Sequence, residues 1–591
     1  MKKNTIRLHS CPKEYTYDQD KACTPEQTVE RFQKRLKVSG LDILKEVKRI
    51  DTGRLDIPVF FSVCGKDALD IIGTKKQMGK GSTPEQSRAS ACMELAERFS
   101  FFSFLKNPEN FLTGDYPTMQ EAGYPILPIS ALLQSVHDEE RCSEELEQLL
   151  TGLPLRWTWA RNITKDADVL VPFSWFYAIN EFNGPCAGNT IEEAVIQGIS
   201  EVVERHVCAV IARKKIRTPS IDPNSVIDPV ARTLVEKFRH NGIKVQLNDF
   251  SLDTGIPTVA ALAWDPATFP KKSELVYTAG TTPGADKALI RALTEVAQLA
   301  GDFESGSNYV ASGLPKPLSL DEVNYLFTPE QTISIDQLPQ VDANDMLQEL
   351  HNCLEALQKI NMEVLMVNTI HPDLQIPAAY TIIPGAHFRE RAASGDAPLF
   401  AAKLAADLLE PAELETKLTE MQKHLPDAYY LEFYRGRNFY DQGMVEPARK
   451  CFEQALTMQP NEEDKPYIYS YMGSCLRDQE LFKEAIPVLE QGLACDEERP
   501  DIHNILGVCH FKEDRFEQAV HHFQRAVQLN PVSSIDYANL ALNQQRLGRN
   551  QEAIINYQIA LGQDPSIAFA TENLALLLAA DENTDQQGGA A

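Results

Sequence analysis

The residues with the clearest capacity for chemistry are two matching runs of glutamate and arginine. They read Glu94-Leu95-Ala96-Glu97-Arg98 and Glu201-Val202-Val203-Glu204-Arg205. In a helix, a spacing of three and four residues brings both carboxylates and the guanidinium onto one face. Two such helices together supply four carboxylates, the kind of ligand that a hard cation such as Mg2+ requires.

Each run lies in a segment that begins as a helix should. Thr83 is followed three residues later by Gln86, and Thr190 by Glu193, which is the pattern of a capping box. A single run is typical of an exposed, salt-bridged helix face. Here the neighbours are small or apolar in both copies, so the carboxylates are predicted to be buried, which is unfavourable without cations. The repeated pattern predicts a magnesium–nucleotide site formed by two helices.

A weaker third copy runs from Arg291 through Glu295 to Gln298, where a glutamine replaces the second glutamate. A triphosphate also needs cations, and the candidates beside these motifs are Lys80, Arg98, Arg205 and Arg291. The segment Gly79-Lys80-Gly81 is not a P-loop, because Gly81 stands where that motif has Ser or Thr. A lysine flanked by glycines is weak evidence by itself.

Three other features have a simple structural interpretation beside a chemical one. Cys186 could be a nucleophile or a sulfur relay, although Cys is more often a small buried residue. His206 could orient a phosphate, but we favour packing. His521 and His522 lack a third ligand for a metal. The sequence assigns no catalytic acid or base.

Composition limits the classes of partner. The chain has 591 residues, of which 43% are hydrophobic, and a formal net charge of −27 with a pI of about 4.9. This charge argues against nonspecific binding to nucleic acid or to anionic membranes. The Cys residues include no C-x-x-C pair, and neither a signal peptide nor a membrane span is predicted. We expect a cytoplasmic protein that binds no nucleic acid and no membrane.

The chain divides into two regions with different patterns. Residues 1–400 mix short β-branched runs with amphipathic stretches, which predicts a mixed α/β, or α+β, catalytic domain. From residue 401 the pattern is almost purely helical. We expect a connecting helix over 401–426, a helical domain over 427–580 and a disordered tail over 581–591.

The helical region repeats four times. Gly436, Gly473, Gly507 and Ala541 share one position; a second holds Ala448, Ala485, Ala519 and Ala553, and a third holds Phe452, Leu489, Phe523 and Tyr557. Small residues let two antiparallel helices approach, and the bulky residue fills the space between them. This resembles the tetratricopeptide repeat over about 428–566, with a capping helix over 567–580. Stacked repeats present a groove for a peptide or protein, although they could instead dimerise or support the catalytic domain.

The first region resembles the YcaO superfamily over about residues 10–400. The matching segments are Gly79-Lys80-Gly81, Glu94-x-x-Glu97-Arg98, Ala187-Gly188-Asn189-Thr190, Gln197-x-x-x-Glu201-x-x-Glu204-Arg205, Arg291-x-x-x-Glu295-x-x-Gln298, Ile383-Pro384-Gly385, and Lys13 with Lys21. The resemblance implies an enzyme that uses ATP and Mg2+ to phosphorylate a peptide-bond oxygen, after which a nucleophile attacks the activated carbon. A thiol or hydroxyl then gives an azoline, sulfide a thioamide and an amine an amidine.

The resemblance also implies roles for single residues. The expected Mg2+ ligands are Glu94, Glu97, Glu201 and Glu204. The expected nucleotide contacts are Lys13, Ser90, Arg98, Gln197 and Arg205, with Asn189 close to them. Lys80, Arg291 and Glu295 are further candidates for nucleotide binding.

Two departures from the family pattern bear on the reaction. Leu299 follows Gln298 where the family often has an Arg, which weakens the role implied for the third motif and slightly favours a non-catalytic scaffold. The Pro-rich C-terminus of azoline-forming members, which in that class is tied to the active site, is absent from this sequence. The resemblance therefore favours thioamide formation, or an accessory role in ribosomal-protein methylthiolation, over azoline formation. It implies a peptide or protein substrate bound by the repeats, a sulfur-delivery or TfuA-like partner, and a homodimer.

Two other interpretations stay open. The chain could be a non-catalytic scaffold whose repeats recruit a protein client, but the intact carboxylate pairs favour an enzyme. It could also be a ligase that converts a free carboxylate into an amide with the same metal and nucleotide. ATP turnover with identification of the products distinguishes the three.

Overall fold

The computed structural model describes residues 5–303, 309, 313–389 and 396–588. The chain divides into two units, Met1–Phe400 and Ala401–Ala591. The first combines strands and helices, whereas the described part of the second is helical. The predicted fold class, a mixed domain followed by a helical solenoid, is confirmed.

The first unit places its sheets and helices as follows. The strands are β1 (Leu44–Arg49), β2 (Val59–Cys64), β3 (Lys76–Lys80), β4 (Leu112–Gly114), β5 (Leu155–Asn162), β6 (Ala167–Pro172), β7 (Pro185–Ala187), β8 (Ser220–Ile221), β9 (Lys244–Asp249), β10 (Thr258–Trp264), β11 (Val276–Thr281), β12 (Thr332–Ile333), β13 (Leu365–Asn368) and β14 (Ala378–Ile382). The helices are α1 (Pro25–Ser39), α2 (Lys66–Ile72), α3 (Pro84–Lys106), α4 (Tyr116–Glu121), α5 (Ile129–Ser135), α6 (Ser143–Leu150), α7 (Phe173–Asn180), α8 (Ile191–Lys214), α9 (Pro229–His240), α10 (Ala285–Ala300), α11 (Asn324–Phe327) and α12 (Met346–Gln358).

The strands form three sheets. Their orders are β1-β2-β3, β11-β10-β9-β8-β12, and β4-β5-β13-β14-β7 with β6 paired to β5. Neighbouring strands run antiparallel except β8 and β12, which are parallel. One hydrophobic core lies between α9, α10 and the second sheet, and includes Phe238, Leu247, Val259, Leu289 and Leu293.

Three helices that carry the glutamate motifs share one arrangement. Helices α3, α8 and α10 directly follow β3, β7 and β11, and each packs on the strand before it. Each also contacts the strand of another such pair: α3 contacts β7, α8 contacts β11 and α10 contacts β3. The three strand–helix pairs therefore close on one another, and the motif faces converge.

The starts of α3 and α8 are built alike. The hydroxyls of Thr83 and Thr190 accept hydrogen bonds from the backbone N–H groups of Gln86 and Glu193, as the capping pattern predicts. The reciprocal half is formed in neither box, and at α8 the Glu193 carboxylate accepts from the backbone N–H of Ala22 instead. Its side chain is thereby free of the cap and joins a different part of the unit.

Eleven helices follow among the described residues, the first of which spans the boundary between the units. They are α13 (Ala397–Leu408), α14 (Pro411–His424), α15 (Tyr429–Asp441), α16 (Val445–Thr457), α17 (Lys465–Asp478), α18 (Phe482–Cys495), α19 (Pro500–Lys512), α20 (Phe516–Leu529), α21 (Ser534–Arg546), α22 (Asn550–Gln563) and α23 (Ala568–Gly588). Eight of them pack as consecutive pairs, α15 with α16, α17 with α18, α19 with α20 and α21 with α22. Added Cβ atoms at Gly473 and Gly507 would lie 2.3 Å from Leu489 and 2.7 Å from Phe523. The small and bulky positions predicted to meet do meet.

Two segments of this region differ from expectation. The predicted connecting helix over 401–426 is two helices, because the helix before Pro411 ends at Leu408 and a new one begins at the proline. Helix α23 continues to Gly588, past residue 581 where a disordered tail was expected, and 589–591 lie outside the described residues. Across the described ranges, no helix is long and apolar enough to cross a membrane.

Candidate functional site

The three motif helices and β3 enclose a cavity of about 400 Å3. The predicted site residues that line it are Lys80, Ser90, Glu94, Glu97, Arg98, Asn189, Gln197, Glu201, Arg205, Arg291 and Glu295. Residues from four separate stretches of sequence are thus brought to one wall. The size lies within the range of small-molecule sites in proteins.

Close packing at Gly79 positions the β3 side of this cavity. A Cβ added to Gly79 would lie 2.2 Å from the backbone nitrogen of Ala91 and 2.4 Å from the carbonyl oxygen of Ser87. Only glycine allows this approach between β3 and α3. The next residue, Lys80, is consequently held beside the motif face of α3, and its backbone N–H reaches Ser90 Oγ at 3.4 Å.

Cations and carboxylates alternate around the wall. Arg98 Nε lies 3.0 Å from Glu94 Oε1 and 3.7 Å from Glu97 Oε1. On α8, an Arg205 Nη2 atom lies 3.9 Å from Glu201 Oε1. The two motif helices therefore pair each guanidinium with carboxylates of its own run, as the spacing predicts.

The third motif adds further contacts between charged and polar side chains at the cavity. Lys80 donates to Glu295, and Arg291 Nη1 donates to Gln197 Oε1 at 3.3 Å. Although burial favours the neutral acid, the charges of Lys80, Arg205 and Arg291 hold the pKa of Glu295 below its usual value. Gln298, which replaces the expected second glutamate, also lines the cavity.

Burial raises the pKa of three further carboxyls, Glu97, Glu201 and Glu204. Neighbouring glutamates add to this effect at Glu97 and Glu201, while neighbouring arginines oppose it. Carboxylates removed from water and set beside one another are stabilised by an additional cation. Hard oxygen ligands of this kind suit Mg2+.

The cations around the wall have unused donors. Arg205 Nε and Arg291 Nε are buried and have no hydrogen-bond partner among the described residues, although Arg291 Nε lies 3.6 Å from Glu204 Oε2 in an ion pair. An anion in the cavity would supply acceptors for both. The donor set therefore fits a metal–nucleotide in kind. In the placement described here the carboxylates face their arginines, and across the described ranges no three acidic, His or Cys side chains lie close enough together to hold a metal ion.

Two predicted site residues do not line the cavity. Glu204 is only 1% exposed; it accepts from the backbone N–H of Thr281 at 3.1 Å and lies 3.2 Å from Arg205 Nη1. Lys13 Nζ lies 2.6 Å from Glu349 Oε1 and 2.8 Å from an Asp20 oxygen. Glu349 is buried, which raises its pKa to about 7, so this carboxyl accounts for the position of the lysine. As described, Glu204 braces the wall, and Lys13 lies in an ion pair away from it.

Lys21 and Glu193 are among the cavity-lining residues that sequence reasoning left out. Lys21 Nζ lies 3.4 Å from Glu193 Oε1. Asn189 Nδ2 also donates to the Glu193 carboxylate at 3.2 Å. The sequence pattern assigned Glu193 to a helix cap, so its place in the cavity was not predicted. Lys21 belongs to the matching N-terminal segment, so the signal for it was present.

The structure favours the simpler interpretations of Cys186 and His206. Cys186 is completely buried and its thiol donates to the carbonyl of Ala379 at 3.4 Å, while burial raises its pKa. Burial lowers the pKa of His206 to about 4, and its Nδ1 accepts from the backbone N–H of His387. A protonated thiol and a neutral, packed imidazole are structural in character.

Comparison with known proteins gives the same assignment. The family described as YcaO cyclodehydratase, ATP- and Mg2+-binding, matches residues 78–387, and the tetratricopeptide repeat family matches residues 500–531. An uncharacterised protein of Methanothermobacter thermautotrophicus is 28% identical over 387 residues, which are 62% of this chain and 94% of that protein.

Two further relatives carry more informative names. An uncharacterised protein in the tfuA 3' region of Rhizobium leguminosarum is 24% identical over 394 residues, covering 62% of this chain and 88% of that protein. The ribosomal protein S12 methylthiotransferase accessory factor YcaO of Escherichia coli is 28% identical over 307 residues, covering 48% of this chain and 50% of that protein.

A solved structure supports the fold. A heterocyclase in complex with substrate and cofactor has a TM-score of 0.53 and 23% identity, with 70% of this chain and 58% of that chain covered. The family match spans more than half of the sequence, and it contains the paired motifs and the cavity that they line. The chain therefore belongs to the YcaO family of ATP- and Mg2+-binding domains, and it carries tetratricopeptide repeats on its C-terminal side.

Proposed function

We propose that this chain is an ATP- and Mg2+-dependent enzyme that activates a peptide-backbone amide for attack by a nucleophile. The observation that carries the proposal is the cavity in which duplicated carboxylates meet guanidinium groups with unused donors. A site that had lost its ligands would have no physical reason to keep buried like charges together, because they destabilise the fold.

The residues of the wall divide into two groups by charge. Glu94, Glu97 and Glu201 are the cavity-lining candidates to hold the metal. Lys80, Arg205 and Arg291 are placed to bind phosphate oxygens, and Arg205 Nε and Arg291 Nε have donors available for them.

ATP, when bound, supplies the phosphoryl group that makes the amide oxygen a leaving group. An amide oxygen is a poor nucleophile, so the contribution of the protein lies in orientation and charge neutralisation. The cations offset negative charge as it moves between oxygens. The carboxylates would hold the metal and so orient the phosphates relative to the cavity wall.

Within this class, we infer thioamide formation or an accessory role in ribosomal-protein methylthiolation. The support is the name of the Escherichia coli relative, a ribosomal protein methylthiotransferase accessory factor. We further infer that the repeats bind the protein substrate and that a TfuA-like protein is a partner, for which the name of the Rhizobium relative is the support.

Titration calorimetry with Mg–ATP tests the nucleotide site. Glu97→Gln should weaken binding at least about tenfold, or about 1.4 kcal/mol, because it removes one metal-directed charge. Glu85→Gln is the matched control, since Glu85 lies exposed on the same helix outside the cavity. Equal affinities in the two variants would contradict the assignment.

A second measurement tests the reaction. Phosphate release, with mass analysis of candidate peptides, should depend on a peptide and on an added nucleophile such as sulfide. ATP binding without any peptide-dependent turnover would favour the scaffold. Activation of a free carboxylate in place of a backbone amide would favour the ligase.

A further inference from the structure

A second cavity of about 460 Å3 lies along one face of α1. We call it the α1 groove; its walls come from α1, from the segment 375–377 and from the turn after β7. Arg31, Lys34 and Arg35 of α1 line it, and no acidic residue does. In a chain whose net charge is −27, a groove whose charged lining residues are all cations is a local exception.

The charges of this groove are available to a ligand. Arg31 and Lys34 are exposed, and in the part of the chain that the structure describes no carboxylate pairs with either side chain. Arg35 Nη1 donates to the neutral amide oxygen of Gln375 at 2.9 Å, which leaves its charge unbalanced. Three uncompensated cations on one wall attract acidic groups.

Apart from Thr28, Asn189 and Gln375, the rest of the lining is apolar or glycine. Phe32 lies at the base with 1% of its surface exposed, and Val38 is 72% exposed at the C-terminal end of the helix. Ile376 and Pro377 form part of the opposite wall. A surface that combines cations with aliphatic and aromatic groups fits a polypeptide segment, which can carry both carboxylates and apolar side chains.

The α1 groove joins the nucleotide cavity. Thr28, Met93 and Asn189 line both, so the two spaces share a boundary. A segment lying extended in the groove advances about 3.3 Å per residue. The next few residues of such a segment therefore reach the boundary of the cavity that the duplicated carboxylates and the arginines line.

We propose that the α1 groove binds an acidic, extended segment of the protein substrate and thereby leads the neighbouring amide into the nucleotide cavity. This inference rests on the proposed function, since it names the class of substrate for that site. An acidic peptide fits better than single-stranded nucleic acid. Nucleic acid binding uses aromatic stacking platforms, whereas Phe32 is buried, and the chain as a whole repels a long polyanion.

Fluorescence anisotropy on the full-length protein tests the proposal without ATP. The probe is a short labelled peptide rich in Asp and Glu; the comparison peptide has Asn and Gln at the same places. The double variant Arg31→Glu/Lys34→Glu should weaken binding of the acidic peptide about tenfold at low salt. Lys37→Glu is the control, because Lys37 is exposed on the same helix but outside the groove.

The outcomes separate this inference from the proposed function. A selective loss in the double variant, with Mg–ATP binding unchanged, supports the groove. Equal affinity for both peptides, no binding of the acidic peptide, an equal loss in Lys37→Glu, or tighter binding of a single-stranded RNA of similar charge overturns it. If the wild-type protein binds no Mg–ATP while the groove still selects acidic peptide, the proposed function fails and the groove remains.

Discussion

The two units of this protein are both built by repetition, but they repeat different properties. In the first unit the repeated residues are charged, and the paired runs on α3 and α8 face a shared cavity. In the second unit the repeated residues are apolar, and each small position receives the bulky side chain of the next helix, as Gly507 receives Phe523. One repetition assembles a site, and the other assembles a core.

The energetic consequences are opposite. Burial of Phe452, Phe523 or Tyr557 stabilises the solenoid by about 1.5–3 kcal/mol for each side chain. Burial of Glu97 and Glu201 instead raises their pKa values, which shows that the fold disfavours their charged forms. Repetition of a costly feature indicates function, whereas repetition of a stabilising one indicates architecture.

The largest expected effect comes from separating the two units. Removal of all residues after 426 should leave Mg–ATP affinity nearly unchanged and abolish turnover of the protein substrate, because a backbone amide offers no side chain for selection and the repeats raise the local substrate concentration. Calorimetry and a turnover assay on the same preparation measure both. Full turnover by the truncated enzyme would show that the repeats are not the recognition element, and loss of ATP binding would show that they are structural.

The second-largest expected effect comes from overpacking two helices of the repeat region. Gly507→Leu should destabilise the solenoid by about 3 kcal/mol, because even an added Cβ would lie 2.7 Å from the Phe523 ring. Gly562→Leu is the matched control on another repeat helix, where an added Cβ meets nothing within 4 Å. Amide hydrogen exchange across Phe516–Leu529 in the full-length protein reports the local stability. Equal protection in both variants would contradict the close packing.

Much of both units could be predicted because helix geometry is local. A spacing of three and four residues fixes which side chains share a face, so the positions of Glu94 and Glu97 on one wall and of Gly507 against Phe523 followed from the sequence. Thr83 and Thr190 likewise marked the helix starts. These features depend on residues near each other along the chain.

The remainder depended on contacts between distant segments. Lys13 pairs with Glu349, a residue on α12 that no motif connects to it. Glu193 meets Lys21 and Ala22, although its spacing from Thr190 suggested only a cap. The strand orders of the three sheets were equally hidden, because pairing such as β7 with β14 joins segments far apart in sequence. Tertiary contacts of this kind decide which charged residues reach the cavity.

The smallest expected effect is the pH dependence that a buried histidine gives to the stability of the repeat region. His522 packs beside His503 and His510, and its Nδ1 lies 3.0 Å from His503 Nδ1. Burial, followed by the nearby histidines, lowers the pKa of His522 to about 3. Below pH about 6.5 His522 binds a proton in the unfolded chain but stays neutral in the folded protein. The free energy of unfolding therefore decreases as the pH falls below neutral.

At pH 5.5 this linkage should lower the stability of the solenoid by about 1 kcal/mol, a value reduced for the partial exposure of the ring. His522→Gln should remove that part of the pH dependence, whereas His521→Gln, at an exposed neighbouring position, should keep it. Burial also lowers the pKa values of His503 and His510 beside His522, and that of His387 in the first unit to about 3, so the measurement must be local. The difference made by His522→Gln isolates the part due to His522. Hydrogen exchange of Phe516–Leu529 at pH 7.5 and 5.5, corrected for intrinsic rates, meets that need. If both variants lose the same local stability between pH 7.5 and 5.5, His522 is not the source of that loss.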